Sequence, residues 1–242
     1  VISQGISAVL CLIYMIRHYP ILHMKQDEWK PDGRMLRTLC GMGIPMGLQY
    51  SITAIGSVIL QTAVNGLGSV VVASMTAGGK LSMFFCCPFD AFGSTMATYA
   101  GQNLGAGKLD RVTKGMVQCS FVAAGYSVVA AVVMILFGKS FALLFVDSTE
   151  VEIIANVAKL LIINSLFFIP LALVNIIRFM VQGLGFSKLA VLAGVCEMVA
   201  RAVAGFVLVP WFGFTAVGFA SPLAWVAADI FLIYAYRRVM RQ

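Results

Sequence analysis

The stretch Gln102-Asn-Leu-Gly-Ala-Gly-Lys-Leu109 closes one long apolar run, and Gln182-Gly-Leu-Gly-Phe-Ser-Lys-Leu189 closes another, eighty residues later. Five of the eight positions are identical in the two copies. Each copy leads through a short basic loop into the next apolar run. A phrase that recurs at matched ends of apolar spans is typical of membrane proteins built from repeated helical hairpins, a common design among transporters.

The composition around these two turns excludes a water-soluble domain. The chain has 242 residues, of which 60% are hydrophobic and 11% charged, with a mean hydropathy of +0.94. Soluble domains carry about 25% charged residues. We therefore expect an all-α, multi-pass membrane protein whose surroundings are the lipid bilayer. The net charge of +7 lies mainly between apolar runs, which argues against a nucleic-acid partner.

Six full membrane spans can be read from the apolar runs. Most are long enough to cross a hydrocarbon core of about 30 Å as helices. Pro88 predicts a kink in the second span, and Pro45 and Pro170 are expected to interrupt two others. The predicted spans are 40–63, 70–100, 115–138, 153–177, 189–209 and 215–236.

The residues before the first full span fall into two parts. Residues 1–16 are apolar but short for a span, which predicts either the truncated end of a transmembrane helix from an N-terminal lobe or a short buried or re-entrant segment. Residues 17–37 are polar and are interpreted as a cytoplasmic inter-lobe linker, or as an ordinary long loop. Residues 38–242 would then be the C-terminal six-helix lobe of a longer protein.

Basic residues predict the orientation. Thirteen lie in 17–37, around the two repeated turns and in the C-terminal tail, whereas the opposite loops contain only Lys139. The positive-inside rule therefore places the C-terminus in the cytoplasm. The thirteen are Arg17, Lys25, Lys30, Arg34, Arg37, Lys108, Arg111, Lys114, Arg178, Lys188, Arg237, Arg238 and Arg241.

Charged residues inside the spans are the candidate functional residues, because each costs about 2.5–3.5 kcal/mol at a helix centre. Glu197 and Arg201 are four residues apart and are expected to pair, either as a structural ion pair or in gating or coupling. Asp229, in the last span, is interpreted as structural.

The second span carries two further charges, Lys80 and Asp90. Ten residues place them about 15 Å apart along one helix, so they are not expected to pair. Asp90 follows Pro88, where freed carbonyl oxygens favour a cation or proton site. Hydrogen bonding to a neighbouring helix is the alternative for Asp90. Lys80, after two glycines, is interpreted as functional.

Uncharged polar residues complete the predicted substrate or ion pathway. Gln49, Thr53 and Asn175 are expected to bond across helices and to lie along this pathway. The sequence contains no Walker A, H-E-x-x-H or G-x-S-x-G motif, and its six cysteines have no metal-site spacing. We therefore expect no enzyme activity, no metal and no cofactor. Any active transport would be driven by a cation gradient.

Three stretches resemble the C-terminal lobe of multidrug and toxic compound extrusion (MATE) transporters. They are Gly43-Ile-Pro45, the run from Ala77 to Pro88, and Tyr99-Ala-Gly-Gln-Asn-Leu-Gly-Ala-Gly-Lys-Leu-Asp-Arg-Val112. The resemblance implies twelve helices in two lobes. It also implies exchange of sodium or protons for cationic, amphipathic drugs across a bacterial inner membrane.

This chain differs from the residue pattern of one branch of the family and is similar to that of another branch at one position. The sodium-coupled branch has a glutamate eight residues after the Gly-x-Pro proline, where this chain has Thr53, and an acid in the span that here is 153–177, which has none. Lys80 stands where a different branch tends to have an arginine. The resemblance therefore leaves both H⁺ and Na⁺ open as the coupling ion.

Two other functions fit the same composition. A lipid-linked oligosaccharide flippase of the same superfamily would need a cationic cavity for pyrophosphate, for which Lys80 and Arg201 are the candidates. A polytopic protein that transports nothing, such as a receptor or an assembly factor, is the other alternative. The repeated turns and the charges inside the spans favour transport over the second of these.

Overall fold

The computed structural model describes residues 2–20 and 32–240, and within these ranges every regular element is a helix. The chain divides into two units, Val1–Gly41 and Met42–Gln242, with the boundary inside the second helix. The α-helices are α1 (Ile2–His18), α2 (Gly33–Asn65), α3 (Ser69–Gly105), α4 (Leu109–Ala142), α5 (Val151–Leu166), α6 (Phe168–Gly183), α7 (Ser187–Val203), α8 (Val209–Phe212) and α9 (Phe214–Val239), and a π-helical segment, Ala204–Leu208, joins α7 to α8.

The predicted set of six spans is confirmed. Helices α2, α3, α4 and α9 are each long and apolar enough to cross a membrane, and so is the continuous segment Ser187–Phe212. Helices α5 and α6 meet the same criteria as a bent pair, and counting that pair as one span, the fourth along the chain, gives six. The helices extend beyond the predicted spans at both ends.

The fourth span differs from the prediction of one helix over 153–177. It consists of α5 and α6, which are bent by 54° relative to each other at Phe167, and it continues to Gly183. Pro170 explains the break, because it has no N–H to bond the carbonyl of Leu166 and its ring would clash there. In the first turn of α6 the missing N–H is tolerated, since that turn has no intrahelical partners.

The other two prolines do not break their helices. Helix α2 continues through Pro45, and α3 continues through Pro88. The expected interruption at Pro45 is therefore wrong. Neighbouring helices and side chains can satisfy the freed carbonyls of a membrane helix, so the lost hydrogen bond need not end it.

The two repeated turns have the same backbone hydrogen bonds. At the first turn the amides of Ala106, Gly107 and Lys108 bond carbonyls at the end of α3, and at the second Leu184, Gly185 and Phe186 do the same at the end of α6. Gly107 (φ 69°) and Gly185 (φ 92°) both adopt the left-handed conformation that glycine favours. These glycines are 78 residues apart, whereas the identical letters are eighty apart, so the structural repeat is shifted by two residues.

Helix α6 lies at the centre of the second unit, where it packs against α3, α4, α7 and α9. Its neighbours approach closely where glycine replaces a side chain. A Cβ on Gly183 would lie 2.3 Å from the carbonyl oxygen of Ala97, and one on Gly93 would lie 2.6 Å from the ring of Phe179. Helix α2 approaches α7 equally closely, because a Cβ on Gly56 would lie 3.2 Å from the Cα of Met198.

Candidate functional site

A buried ion pair links α6 to α7. Nη2 of Arg178 donates a hydrogen bond to Oε1 of Glu197, and Nη2 of Arg201 lies 3.6 Å from Oε2 of the same glutamate. All three side chains are almost inaccessible to solvent, at 8%, 3% and 10% exposure for Arg178, Glu197 and Arg201. The predicted pairing of Glu197 with Arg201 is present, but Glu197 makes its closer contact with Arg178.

Asp229 brings a third helix into this cluster. It is buried on α9, and its carboxylate interacts electrostatically with Arg178 and Glu197. Two arginines and two carboxylates give this quartet (Arg178, Glu197, Arg201 and Asp229) a formal charge of zero. A neutral set of buried charges is what the low dielectric of a membrane bundle requires.

The quartet is incompletely hydrogen-bonded within the part of the chain that is described. Nε of Arg178, Nη1 of Arg201 and Oδ1 of Asp229 are buried without a partner among residues 2–20 and 32–240. Buried donors and acceptors of this kind bind water or change partner when the structure moves. The arrangement can therefore hold a small number of waters or exchange ion-pair partners.

Asp90 lies next to the quartet but is not buried with it. It is exposed on α3, and its carboxylate interacts electrostatically with Arg178. The close contact between Gly93 of α3 and Phe179 of α6 brings these two segments together. Lys80 is exposed on the same helix and, as its spacing predicted, makes no ion pair with Asp90 in the described structure.

The uncharged candidates are only partly brought together. Nε2 of Gln182 donates a hydrogen bond to Oε1 of Gln49, which joins α6 to the buried face of α2. Asn175 is buried on α6 and donates to the carbonyl of Leu171 at 3.2 Å, within its own helix. Thr53 is partly buried on α2, and its carbonyl accepts from the hydroxyl of Ser57.

Replacing Gln49 with leucine should weaken the contact between α2 and α6 by about 1 kcal/mol, because the partly buried amide of Gln182 then loses its partner. The readout is the midpoint of thermal unfolding in detergent. Gln102→Leu is the control, because it makes the same change at an exposed glutamine of α3. Equal midpoints for the two variants would contradict an interhelical role for Gln49.

The predicted location of Arg178 in a loop is wrong. The predicted span ends at residue 177 and makes Arg178 a loop charge, whereas α6 continues to Gly183 and buries Arg178. Three apolar residues, Phe179, Met180 and Val181, follow the charge before Gln182, a signal that the apolar span had not yet ended. Without Arg178, twelve basic residues remain on the side that the positive-inside rule predicts to be cytoplasmic.

Comparisons with known proteins agree with the fold. The sequence model of the MatE family matches residues 45–207. The chain is 28% identical over 152 residues to the probable multidrug resistance protein YpnP of Bacillus subtilis (strain 168), covering 62% of this chain and 33% of that protein. It is 32% identical over 143 residues to the multidrug resistance protein PmpM of Pseudomonas aeruginosa PAO1, covering 58% and 29% of the two chains.

Among solved structures, a crystal structure of MATE in complex with MaL6 superposes with a TM-score of 0.88. The superposition covers 98% of this chain and 54% of the crystallised one, at 16% sequence identity. The chain therefore spans about half the length of that protein, and its matches to the two curated relatives cover about a third of each. At this identity the superposition shows the shared fold.

Proposed function

Because the chain belongs to the MatE family, whose members are transporters, we propose that residues 38–242 form the C-terminal lobe of a multidrug exporter. The exporter exchanges protons or sodium ions for amphipathic, cationic compounds. The observation that carries this proposal is the burial of four charged side chains inside a membrane bundle, on α6, α7 and α9. Charges at such positions commonly mark ion and substrate pathways.

The relatives support the direction and class of the transport. YpnP and PmpM are both described as multidrug resistance proteins, which indicates export of varied small molecules. Drug-like cations are the proposed substrates, the lipid bilayer is the surrounding medium, and H⁺ or Na⁺ is the proposed coupling ion. No cofactor is needed, because the gradient supplies the energy.

The proposed location is a bacterial inner membrane with a cytoplasmic C-terminus. The charge bias still supports it after Arg178 is removed, with twelve basic residues on one side against Lys139 on the other. Lys25, Lys30 and Arg241 lie outside the described residues. Helix α1 is apolar and 17 residues long, in keeping with the proposal that residues 1–16 end a helix of an N-terminal lobe. Residues 21–31 of the proposed linker lie outside the described range.

The oligosaccharide flippase is the weaker alternative. Arg201, one of its two candidate cations, is paired with Glu197, and Arg178 is paired with the same carboxylate. These arginines supply no free charge for pyrophosphate. Of the two candidates named from the sequence, Lys80 alone makes no ion pair within residues 2–20 and 32–240.

Transport by the intact native protein, with both proposed lobes, tests this function. In proteoliposomes we expect ethidium to move against an imposed proton gradient or sodium gradient, and to stop when an ionophore collapses that gradient. The gradient that drives movement identifies the coupling ion. Folded protein that moves ethidium with neither gradient would contradict the proposal and favour the flippase.

A further inference from the structure

Two lysines line one open groove at the end of the bundle where α4 ends and α9 begins. The groove has a volume of about 470 Å³ and lies between α4, α5 and α9. Lys139 is in the last turn of α4 and Lys159 in the middle of α5, and both side chains are exposed. We call this the lysine groove; its polar lining is Lys139, Lys159 and Thr215, and its apolar lining includes Ile162 and Phe219.

The two ammonium groups lie at the depth expected for the membrane surface. Nζ of Lys159 donates a hydrogen bond to Oγ1 of Thr215 at 2.7 Å, and Thr215 is the second residue of α9. The Lys159 ammonium is therefore level with the start of that span, as Lys139 is level with the end of α4. Just before α9, Trp211 is 82% exposed, and exposed tryptophan concentrates at the level of the lipid headgroups.

The polar end of the groove offers hydrogen-bond donors. A lysine ammonium has three N–H donors and no acceptor. Lys159 uses one of its donors on Thr215, whose hydroxyl keeps its own proton to donate. No hydrogen bond or ion pair holds the Lys139 side chain within residues 2–20 and 32–240. A ligand that fits this end must supply acceptor atoms, and two positive charges favour an anion.

The acidic residues nearest along the chain do not neutralise these lysines. Asp147 and Glu150 lie in the exposed turn between α4 and α5, and Glu152 lies in the first turn of α5. Oδ1 of Asp147 accepts from the amide and the hydroxyl of Thr149, both at 3.0 Å. Neither lysine forms an ion pair with the three acids in the part of the chain that is described. The lysine groove therefore presents two unpaired ammonium groups.

Below the ammonium groups the groove becomes apolar. Ile162 follows Lys159 by three residues on α5, and Phe219 follows Thr215 by four on α9, so each lies about one helical turn deeper in the membrane. The ring of Phe219 packs edge-on against Phe167 at the break between α5 and α6, with ring centroids 6.1 Å apart. The groove therefore suits a molecule with an anionic head and an apolar tail.

The groove opens on the side of α5 that faces away from α3. On the α3 side, Leu160 packs so closely that a Cβ on Gly78 would lie 2.6 Å from its Cδ2, and Nδ2 of Asn164 donates to the hydroxyl of Ser82 at 3.5 Å. Ile162 lies two residues from each of these α5 positions, which places it on the opposite face of the helix. In a membrane the groove therefore opens toward lipid, away from the helix that carries two of the proposed pathway residues.

We propose that the lysine groove binds an anionic phospholipid, with the phosphate between Lys139 and Lys159 and an acyl chain along Ile162 and Phe219. Phosphate oxygens are acceptors that match the donors of the groove, and lysine is a common phosphate ligand. The apolar depth of the groove favours a lipid over a free anion. A lipid held there contacts α4, α5 and α9 together. The inference does not depend on which compounds the protein exports.

Lipid binding to the purified intact protein tests the proposal. Delipidated protein in detergent is titrated with dioleoyl phosphatidylglycerol or dioleoyl phosphatidylcholine, and native mass spectrometry measures the lipid bound. We expect phosphatidylglycerol to bind about tenfold more tightly, because each lysine near a membrane surface favours an anionic lipid. Lys139→Gln/Lys159→Gln should bring the two affinities within about twofold of each other. Lys139→Arg/Lys159→Arg keeps both charges and should keep the preference.

A matched control removes two exposed lysines from the opposite end of α4. Lys108→Gln/Lys114→Gln makes the same change in charge and should bind both lipids like the unmodified protein. If the Lys139→Gln/Lys159→Gln protein elutes as folded protein and keeps the full preference for phosphatidylglycerol, the assignment to this groove is overturned. Inorganic phosphate that raises the thermal midpoint as much as phosphatidylglycerol would overturn the lipid in favour of a free anion. An unmodified protein without any preference would mean that the groove is covered in the intact protein, which also overturns the proposal.

Discussion

Arg178→Ala is expected to destabilise the protein by about 3–5 kcal/mol, because it leaves the buried Glu197 carboxylate without its closest partner. Arg201 lies 3.6 Å from the other oxygen of Glu197 and replaces only part of that interaction. We expect a marked loss of folded protein in the membrane. The measurement is the fraction that remains monodisperse after heating in detergent.

A second substitution separates charge from packing. Glu197→Gln in the Arg178→Ala background removes the unpaired carboxylate and should restore a large part of the lost stability. Arg238→Ala is the control, because Arg238 is an exposed arginine at the end of α9. Strictly additive losses in the double variant would mean that Arg178 and Glu197 do not depend on each other.

Gly183→Ala is expected to force α3 and α6 apart. The new Cβ would lie 2.3 Å from the carbonyl oxygen and 2.9 Å from the Cα of Ala97, and backbone atoms cannot move aside as a flexible side chain can. We expect a loss of about 2–3 kcal/mol, as for other overpacked sites. It would appear as a lower thermal midpoint and reduced abundance.

Gly79→Ala is the matched control for that substitution. Gly79 is also a helical glycine, in α3, and a Cβ there meets no atom within 4 Å. Alanine should be neutral or slightly stabilising at this position, since it is favoured over glycine in a helix by about 1 kcal/mol. A Gly183→Ala protein as stable as the Gly79→Ala protein would contradict the close packing of α3 on α6.

Much of the fold follows from the sequence because the membrane restricts the choices. A spanning segment must satisfy its own backbone hydrogen bonds, so each long apolar run is a helix. The break at Phe167 was harder to place. Pro170 signals an interruption, but Pro45, Pro88 and Pro222 also lie inside apolar runs, and their helices continue. Whether a proline breaks a membrane helix depends on the neighbouring helices, which the sequence does not display.

The candidate site was predictable only where its contacts are local. Glu197 and Arg201 share one turn of a helix, so their spacing revealed the pair. Arg178 and Asp229 join them from α6 and α9, and contacts between helices leave no spacing signal in one sequence. The spacing of Lys80 and Asp90 along α3 could be read from the sequence, but that both are exposed while Phe89 and Met96 are buried required the structure.

Reactivity of Cys87 tests the central claim, that the exposed side of α3 that carries Lys80, Cys87 and Asp90 borders a water-filled ion and substrate pathway. Cys87 lies on this face one turn before Asp90, whereas the adjacent Cys86 is partly buried. Two variants of the intact protein are compared, one that retains Cys87 but not Cys86 and one that retains Cys86 but not Cys87. A charged, membrane-impermeant thiol reagent should modify Cys87 quickly and Cys86 slowly. Ethidium should slow the reaction at Cys87. If Cys87 instead reacted only with a lipid-soluble maleimide, this face would lie against lipid, and the proposed pathway would be wrong.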